Sequence, residues 1–339
     1  MLYVVIAFLC FAILFYLLFG GADFGAGIIE LFTSNKNKKR TRLLTYKAIG
    51  PIWEANHMWL IITIVILFVG FPPIYYLLSV NLHIPLVIML LGIVARGTAF
   101  IFRHYDAVKD EMQKLYNFIF VYSSFITPLF LGIIAGTVIS GNIDPKASQF
   151  LDAYVTPWLQ FFPISVGLFT VSICGFLAAV YLVGEARDPE EQLIFIRKAK
   201  IFNISTVLAG GLVFIASSVD NIHLFTSIIN NIPSLAALIL ATISLIFLWK
   251  YLSKRRKNLV RIIAGFQISM ILFALGYIYL PHFVVLADGS TLSLLETGAV
   301  GGPMDALGWS LIIGSILILP SLFYLVWSFQ KNPIEVEEI

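Results

Sequence analysis

Apolar residues run along this chain in nine long blocks, and polar residues collect between them. The blocks lie near residues 2–32, 50–70, 84–102, 116–140, 158–184, 201–219, 233–252, 260–280 and 306–328. Each has the length of a helix that crosses a bilayer, which takes about 20 apolar residues at 1.5 Å rise per residue. The pattern predicts an all-α integral membrane protein of nine transmembrane helices in a single transmembrane domain over 1–339. Spans one to four (1–140) and five to eight (158–280) are alike in length and loop polarity. They read as two four-helix bundles, with the ninth helix (306–328) peripheral.

Charge gives the topology. No basic residue precedes the first block, and Lys36, Lys38, Lys39, Arg40, Arg42 and Lys47 follow it. That is the reverse of a signal peptide's charge order, so an uncleaved helix with the N-terminus outside is expected. Nine spans then leave the C-terminus cytoplasmic. All but two of the 22 Lys and Arg fall in or beside the loops this topology makes cytoplasmic; Lys146 lies outside and Arg96 lies within a span. The outward segments Phe71–Leu82, Gly141–Pro157, Asp220–Pro233 and Pro281–Asp305 are rich in Pro, Gly, Asn and aromatic residues and read as turns and interfacial belts. Most of the six tryptophans sit near span ends, where anchoring is the default role. The acidic end, Glu335, Glu337 and Glu338, reads as a solvated tail.

Composition agrees with this reading. Some 59% of the 339 residues are hydrophobic and 12% charged, against about 25% charged in soluble domains. The net charge of +3 is spread over short loops and implies no nucleic-acid groove. Cys10 and Cys174 lie in apolar stretches with no metal or disulfide spacing, as packed thiols.

A few ionisable residues fall inside the spans, and an intramembrane charge is a functional candidate by default. Asp23 and Glu30 are seven residues apart on one face of the first span. Glu30 is close enough to the cytoplasmic end for water to reach it, which suits an interfacial role. Asp23 is deeper, beside Gly21 and Gly25, whose spacing admits a close helix neighbour. The second span opens Gly50-Pro51-Ile52-Trp53-Glu54-Ala55-Asn56-His57-Met58-Trp59. Pro51 suits a first helical turn, with Glu54 about one turn in and His57 one turn further on the same side. A lone helical histidine is more often a hydrogen-bonded packing residue than a haem or metal ligand, and no second span offers a partner histidine. Arg96, inside the third span, stays charged and needs a partner. Glu54 and Asp23 reach similar depth, so a pair or triad is expected. It serves either as a lock between helices or, with His57, as a ladder of proton carriers.

These blocks carry a resemblance. Gly21-Ala22-Asp23-Phe24-Gly25-Ala26-Gly27, Pro51 to Ile61 with its Trp-acidic-x-Asn-x-x-Trp-Leu core, and Arg96-Gly97-Thr98-Ala99-Phe100 with Arg103 are similar to the signature blocks of subunit II of cytochrome bd-type quinol oxidases. The strong match covers about the first 105 residues. The resemblance implies a multi-pass protein of the bacterial cell membrane, bound to a larger haem-bearing subunit I. That partner would hold haems of b and d type, or b type only, and the complex would oxidise quinol and reduce dioxygen to water. Small single-helix accessory subunits, membrane lipid and a structural quinone are further expected associates. Carried over by position, Asp23 and Glu54 match acidic residues of a proton-conducting path, with Trp53, Asn56 and Arg96 in the blocks that shape it. Family members often have Asp where this chain has Glu54. The segment after Pro281 departs from the family's aromatic and Ser-rich block, so no site is assigned there. One intramembrane histidine and no Cys-x-x-Cys-His fit a companion free of haem. The rival reading is a proton-coupled secondary transporter. Against it, the later spans carry no comparable charge.

Overall fold

The computed structural model describes residues 1–50, 53–105, 111–186 and 188–331. Pro51 and Ile52 of the second block, and the tail residues Glu335, Glu337 and Glu338, lie outside the described residues.

Among the described residues, nine helical segments are long and apolar enough to cross a membrane. The first joins α1 (Leu2–Phe15) to α2 (Gly21–Leu31) through a π-helical turn at Tyr16–Gly20. α4 (Trp53–Val65) runs into a second such turn at Ile66–Gly70. The others are α6 (His83–Tyr105), α7 (Glu111–Ser140), α9 (Phe161–Glu185), α10 (Pro189–Val219), α12 (Ile232–Ser253), α13 (Lys257–Tyr279) and α14 (Gly302–Lys331), with the short α8 (Phe150–Tyr154) and α11 (Leu224–Asn230) in the connections before α9 and α12. A π turn holds one extra residue, so it rotates every later side chain about the helix axis. Tyr16 and Gly20 open and close the first one, and the Tyr16 ring lies where a Gly20 side chain would stand.

The core is built round α9, the most buried span, which packs against α2, α7, α10 and α13. Small residues let the backbones meet, as packing without a hydrophobic drive between helices requires. A Cβ on Gly25 would overlap the Cys174 carbonyl oxygen of α9, and one on Gly27 would overlap Ser124 Oγ of α7. α2 is thus wedged between α7 and α9. α14 touches α1 and the second π turn and is the least buried span.

Three segments expected as loops are ordered. The basic run forms α3 (Asn35–Ile49) because its arginines find carboxylates: Arg40 pairs with Asp188 and Glu191 at the start of α10, and Arg42 with Glu30. Phe71–Leu82 is largely α5 (Pro72–Asn81), begun by Pro72, whose missing N–H is no loss in a first turn. The segment after Pro281 holds an antiparallel hairpin, β1 (His282–Val285) with β2 (Thr291–Ser293), beside Ile143 and Gly70. The hairpin and α5 lie at the end of the bundle opposite α3. At that same end Asp220 Oδ2 accepts the Phe162 N–H at 2.7 Å, covering one open donor at the start of α9.

Candidate functional site

α2, α4, α6 and α7 meet around Asp23. Its side chain is fully buried, as is that of Arg96. Arg96 Nη1 donates to Asp23 Oδ2 and Nη2 to Oδ1, both at 2.7 Å. Nη2 also reaches the Asp23 carbonyl oxygen at 2.9 Å, and Nε donates to Ser124 Oγ at 3.0 Å. The guanidinium stacks between the Phe24 and Phe120 rings, 5.2 and 5.1 Å from their centroids. A two-toothed pair with every nitrogen engaged is the geometry in which a buried ion pair recovers most of its desolvation cost.

His57 completes the cluster from α4. Its Nε2 is 3.7 Å from Asp23 Oδ2, a distance that a small shift closes to a hydrogen bond. The imidazole is packed by Phe24, Trp53 and Tyr16, with centroids 5.7, 6.4 and 6.4 Å away. Its Nδ1 and the Tyr16 hydroxyl are both buried without a hydrogen-bond partner among the described residues. Trp53 covers Gly97 and packs at a tilt against Phe100, centroids 5.4 Å apart, and Asn56 is buried.

Glu54 does not join this group. It is exposed, and among the described residues it makes no ion pair with Asp23, His57 or Arg96. With Ile61 and Val65 it forms one stripe along the outer face of α4. The expected triad is therefore a pair, Asp23–Arg96, with His57 beside it. The helical phase is the reason: Glu54 and His57 are three residues apart, and only the His57 side of the helix turns inward.

Glu30 is not the water-reached residue that its position implied. It is fully buried, because α3 folds back over it. Arg42 Nε and Nη2 donate to Oε1 at 2.9 and 2.7 Å, and Arg103 Nη1 donates to Oε2 at 2.9 Å. Arg103 lies flat on Phe120, 4.1 Å from the centroid. Beside this second cluster, Lys198 of α10 donates to Thr33 Oγ1 and to the Ile29 carbonyl. Two charged layers, Asp23–Arg96 and Glu30–Arg103, are thus stacked along one face of α2 and share the Phe120 ring. Tyr16, Ser124 and Lys198 went unnoticed in the sequence, and Arg42 was read only as part of a basic loop; the π turn and the fold-back of α3 bring Tyr16 and Arg42 in, and neither has a short motif.

The donor set does not suit a haem. Nε2 of the only histidine in the cluster faces a carboxylate, and aromatic rings occupy its flanks. Among the described residues no three His, Cys, Asp or Glu gather as a metal site.

Comparison with known proteins adds a relationship. The family model for cytochrome bd terminal oxidase subunit II matches residues 1–329. Cytochrome bd ubiquinol oxidase subunit 2 of Bacillus subtilis (strain 168) is 30% identical over 171 residues, 49% of this chain and 49% of that protein. Cytochrome bd-I ubiquinol oxidase subunit 2 of Escherichia coli (strain K12) is 23% identical over 165 residues, 48% of this chain and 43% of the relative. The chain thus spans about half the length of the curated relatives it matches. The solved bd oxidase of Geobacillus thermodenitrificans shares the fold, with a TM-score of 0.78 at 20% identity over 98% of this chain and 99% of that one.

Proposed function

The chain belongs to the cytochrome bd terminal oxidase subunit II family, and from that premise we propose that it is the haem-free companion in a quinol oxidase complex of the cell membrane, carrying protons to a larger partner. The complex would oxidise quinol and reduce dioxygen to water, with the haems held by the partner. The basic end, where α3 lies, is read as cytoplasmic and the hairpin end as external.

The observation that carries the partner reading is Glu54. A carboxylate on an outward apolar stripe of a membrane helix is costly against lipid, because charge inside the hydrocarbon region is strongly disfavoured. It is tolerable when a second protein covers that face. The outer face of α4 is accordingly the side on which the larger subunit docks, and Glu54 is the residue that meets it.

The same geometry assigns roles along a path. Arg96 holds Asp23 rigidly by two hydrogen bonds, so Asp23 serves as a fixed counter-charge. His57, next to it, has one nitrogen toward Asp23 and one unpaired, the arrangement of a side chain that takes a proton on one side and gives it up on the other. Glu54 is one helical turn away at the surface and hands the proton over. Trp53 and Asn56 fix the α4 backbone that presents both. The Glu30–Arg42–Arg103 cluster anchors α3 over the entry side. A secondary transporter has no observation in its favour.

The identity is tested by purifying the tagged chain from its native membrane and recording a visible spectrum. A haem-bearing larger subunit should accompany it, with quinol-driven oxygen uptake. A colourless chain that purifies alone and drives pH-dependent solute uptake would overturn the assignment.

A further inference from the structure

α3 is unlike the spans it joins. Its sequence, Asn35–Ile49, carries six basic residues and no acidic one. Like charges along one short helix repel, so its place on the bundle depends on carboxylates from elsewhere. Two sets supply them. On the outer side Arg40 reaches Asp188 and Glu191, and the Arg40 and Asp188 side chains are 45% and 42% exposed. Ion pairs that open to water hold weakly, and salt screens them. On the inner side Arg42 meets Glu30.

The inner side is imperfectly closed. Thr45 Oγ1 on α3 is buried without a hydrogen-bond partner among the described residues, and so are Nε and Nη2 of Arg103, the guanidinium that shares Glu30 with Arg42. Each such group costs free energy that contact with water would return. Lifting α3 would also strand no charge: Glu30 would lose Arg42 but keep Arg103, 2.9 Å from Oε2. What holds α3 down at rest is chiefly Leu44 and Ala48, which pack on the core around α9. A helix seated by a small apolar patch, with exposed ion pairs outside and unpaired polar atoms inside, belongs to the low-stability end of a fold.

We propose that α3 is a cover that lifts from the basic end of the bundle as one piece, and that its lifting lets water reach Glu30. Glu30 stands about 10 Å along α2 from Asp23 at helical rise, so each opening brings water to the foot of the two stacked charged layers. The motion follows from how α3 is held. Its use in proton uptake rests on the proton path proposed above.

Two experiments on the purified complex test the cover. In the first, Ala48, 7% exposed on α3, is changed to cysteine, and its modification by a water-soluble maleimide is timed by mass spectrometry. Wild type, whose Cys10 and Cys174 lie inside spans, is the blank. The thiol of Ala48→Cys should react in the folded complex, and Glu191→Gln or added salt should speed the reaction by roughly three- to fivefold, the weight of one exposed ion pair. Leu44→Cys repeats the measurement one turn earlier if Ala48→Cys assembles poorly. Thiols that stay unmodified, or whose rate ignores both Glu191→Gln and salt, would overturn the cover. In the second, Arg40→Cys and Glu191→Cys are joined by a bismethanethiosulfonate reagent that fastens α3 to α10 until reductant cuts it. Quinol-driven oxygen uptake should be lost on linking and return on reduction, as for a lid whose motion gates turnover. Uptake unchanged by the link, with the thiols of the first experiment still reacting, leaves the cover standing and takes the proton path away from it.

Discussion

Replacing Arg96 with leucine should cost about 3–5 kcal/mol, because it leaves the Asp23 carboxylate buried with no cation and removes four hydrogen bonds at once. Against a total stability of about 5–15 kcal/mol for a folded domain, that loss is a large part of the whole, and clearly less folded protein should accumulate than in the wild type. Fluorescence-detected size-exclusion chromatography of the complex would read this as a lost or aggregated peak. The double variant Asp23→Leu with Arg96→Met removes both charges and keeps apolar volume between Phe24 and Phe120, so much of the folded peak should return. Its turnover then separates two roles. A folded but slow double variant means that the charge serves proton movement; a folded variant with full turnover means that the pair only locks α2 to α6. An Arg96→Leu complex that accumulates like the wild type would show that the pair carries no weight in the fold.

The second large effect lies at Gly25. A methyl group there would collide with the Cys174 carbonyl, and backbone cannot yield as a flexible side chain does. Gly25→Ala should lower the stability of the complex by about 1–3 kcal/mol, the range for overpacking, and Gly25→Leu should prevent α2 from seating between α7 and α9. Gly265 is the control, since nothing stands within 4 Å of the corresponding position. Gly265→Ala should leave the melting temperature unchanged or raise it, because alanine favours helix. Thermal unfolding of the two alanine variants side by side checks both signs. Equal melting temperatures would mean that the α2–α9 contact is looser than its geometry.

Much of this could be read from the chain. Nine spans follow from apolar length, and they stand within about five residues of where hydropathy puts them except the sixth, which starts at Pro189 rather than near 201 because its helix continues through the polar, N-capped turn after Asp188. Arg96 announces a partner because guanidinium does not shed its charge, and Asp23 at matching depth supplies it. Gly25 is legible from its spacing to Gly21. What hid was anything decided by helical phase or by chain returning from elsewhere. Glu54 was expected to face Asp23 and Arg96, yet it faces outward, because depth along a helix says nothing about direction round it. Glu30 was expected to meet water, yet α3 covers it; the polar look of Asn35–Ile49 suggested a loop, and only the distant carboxylates of Asp188, Glu191 and Glu30 make it a docked helix. Tyr16 enters the cluster beside a π turn, a one-residue insertion that no periodicity of the first span marks.

The misplacement of Glu54 changed its meaning more than its importance. It moves from a member of a buried triad to an exposed carboxylate on the outer face of α4, which under the proposed function is the point where the chain meets its partner and passes protons. The direct measurement is quinol-driven oxygen consumption by the purified complex carrying Glu54→Gln, beside Glu54→Asp, with the visible spectrum recorded to confirm assembly. Glu54→Gln should slow turnover by roughly a hundredfold, the low end of the range lost when a proton-transfer group is removed, while Glu54→Asp keeps most of it and both keep the wild-type spectrum. Wild-type turnover in Glu54→Gln would contradict the account.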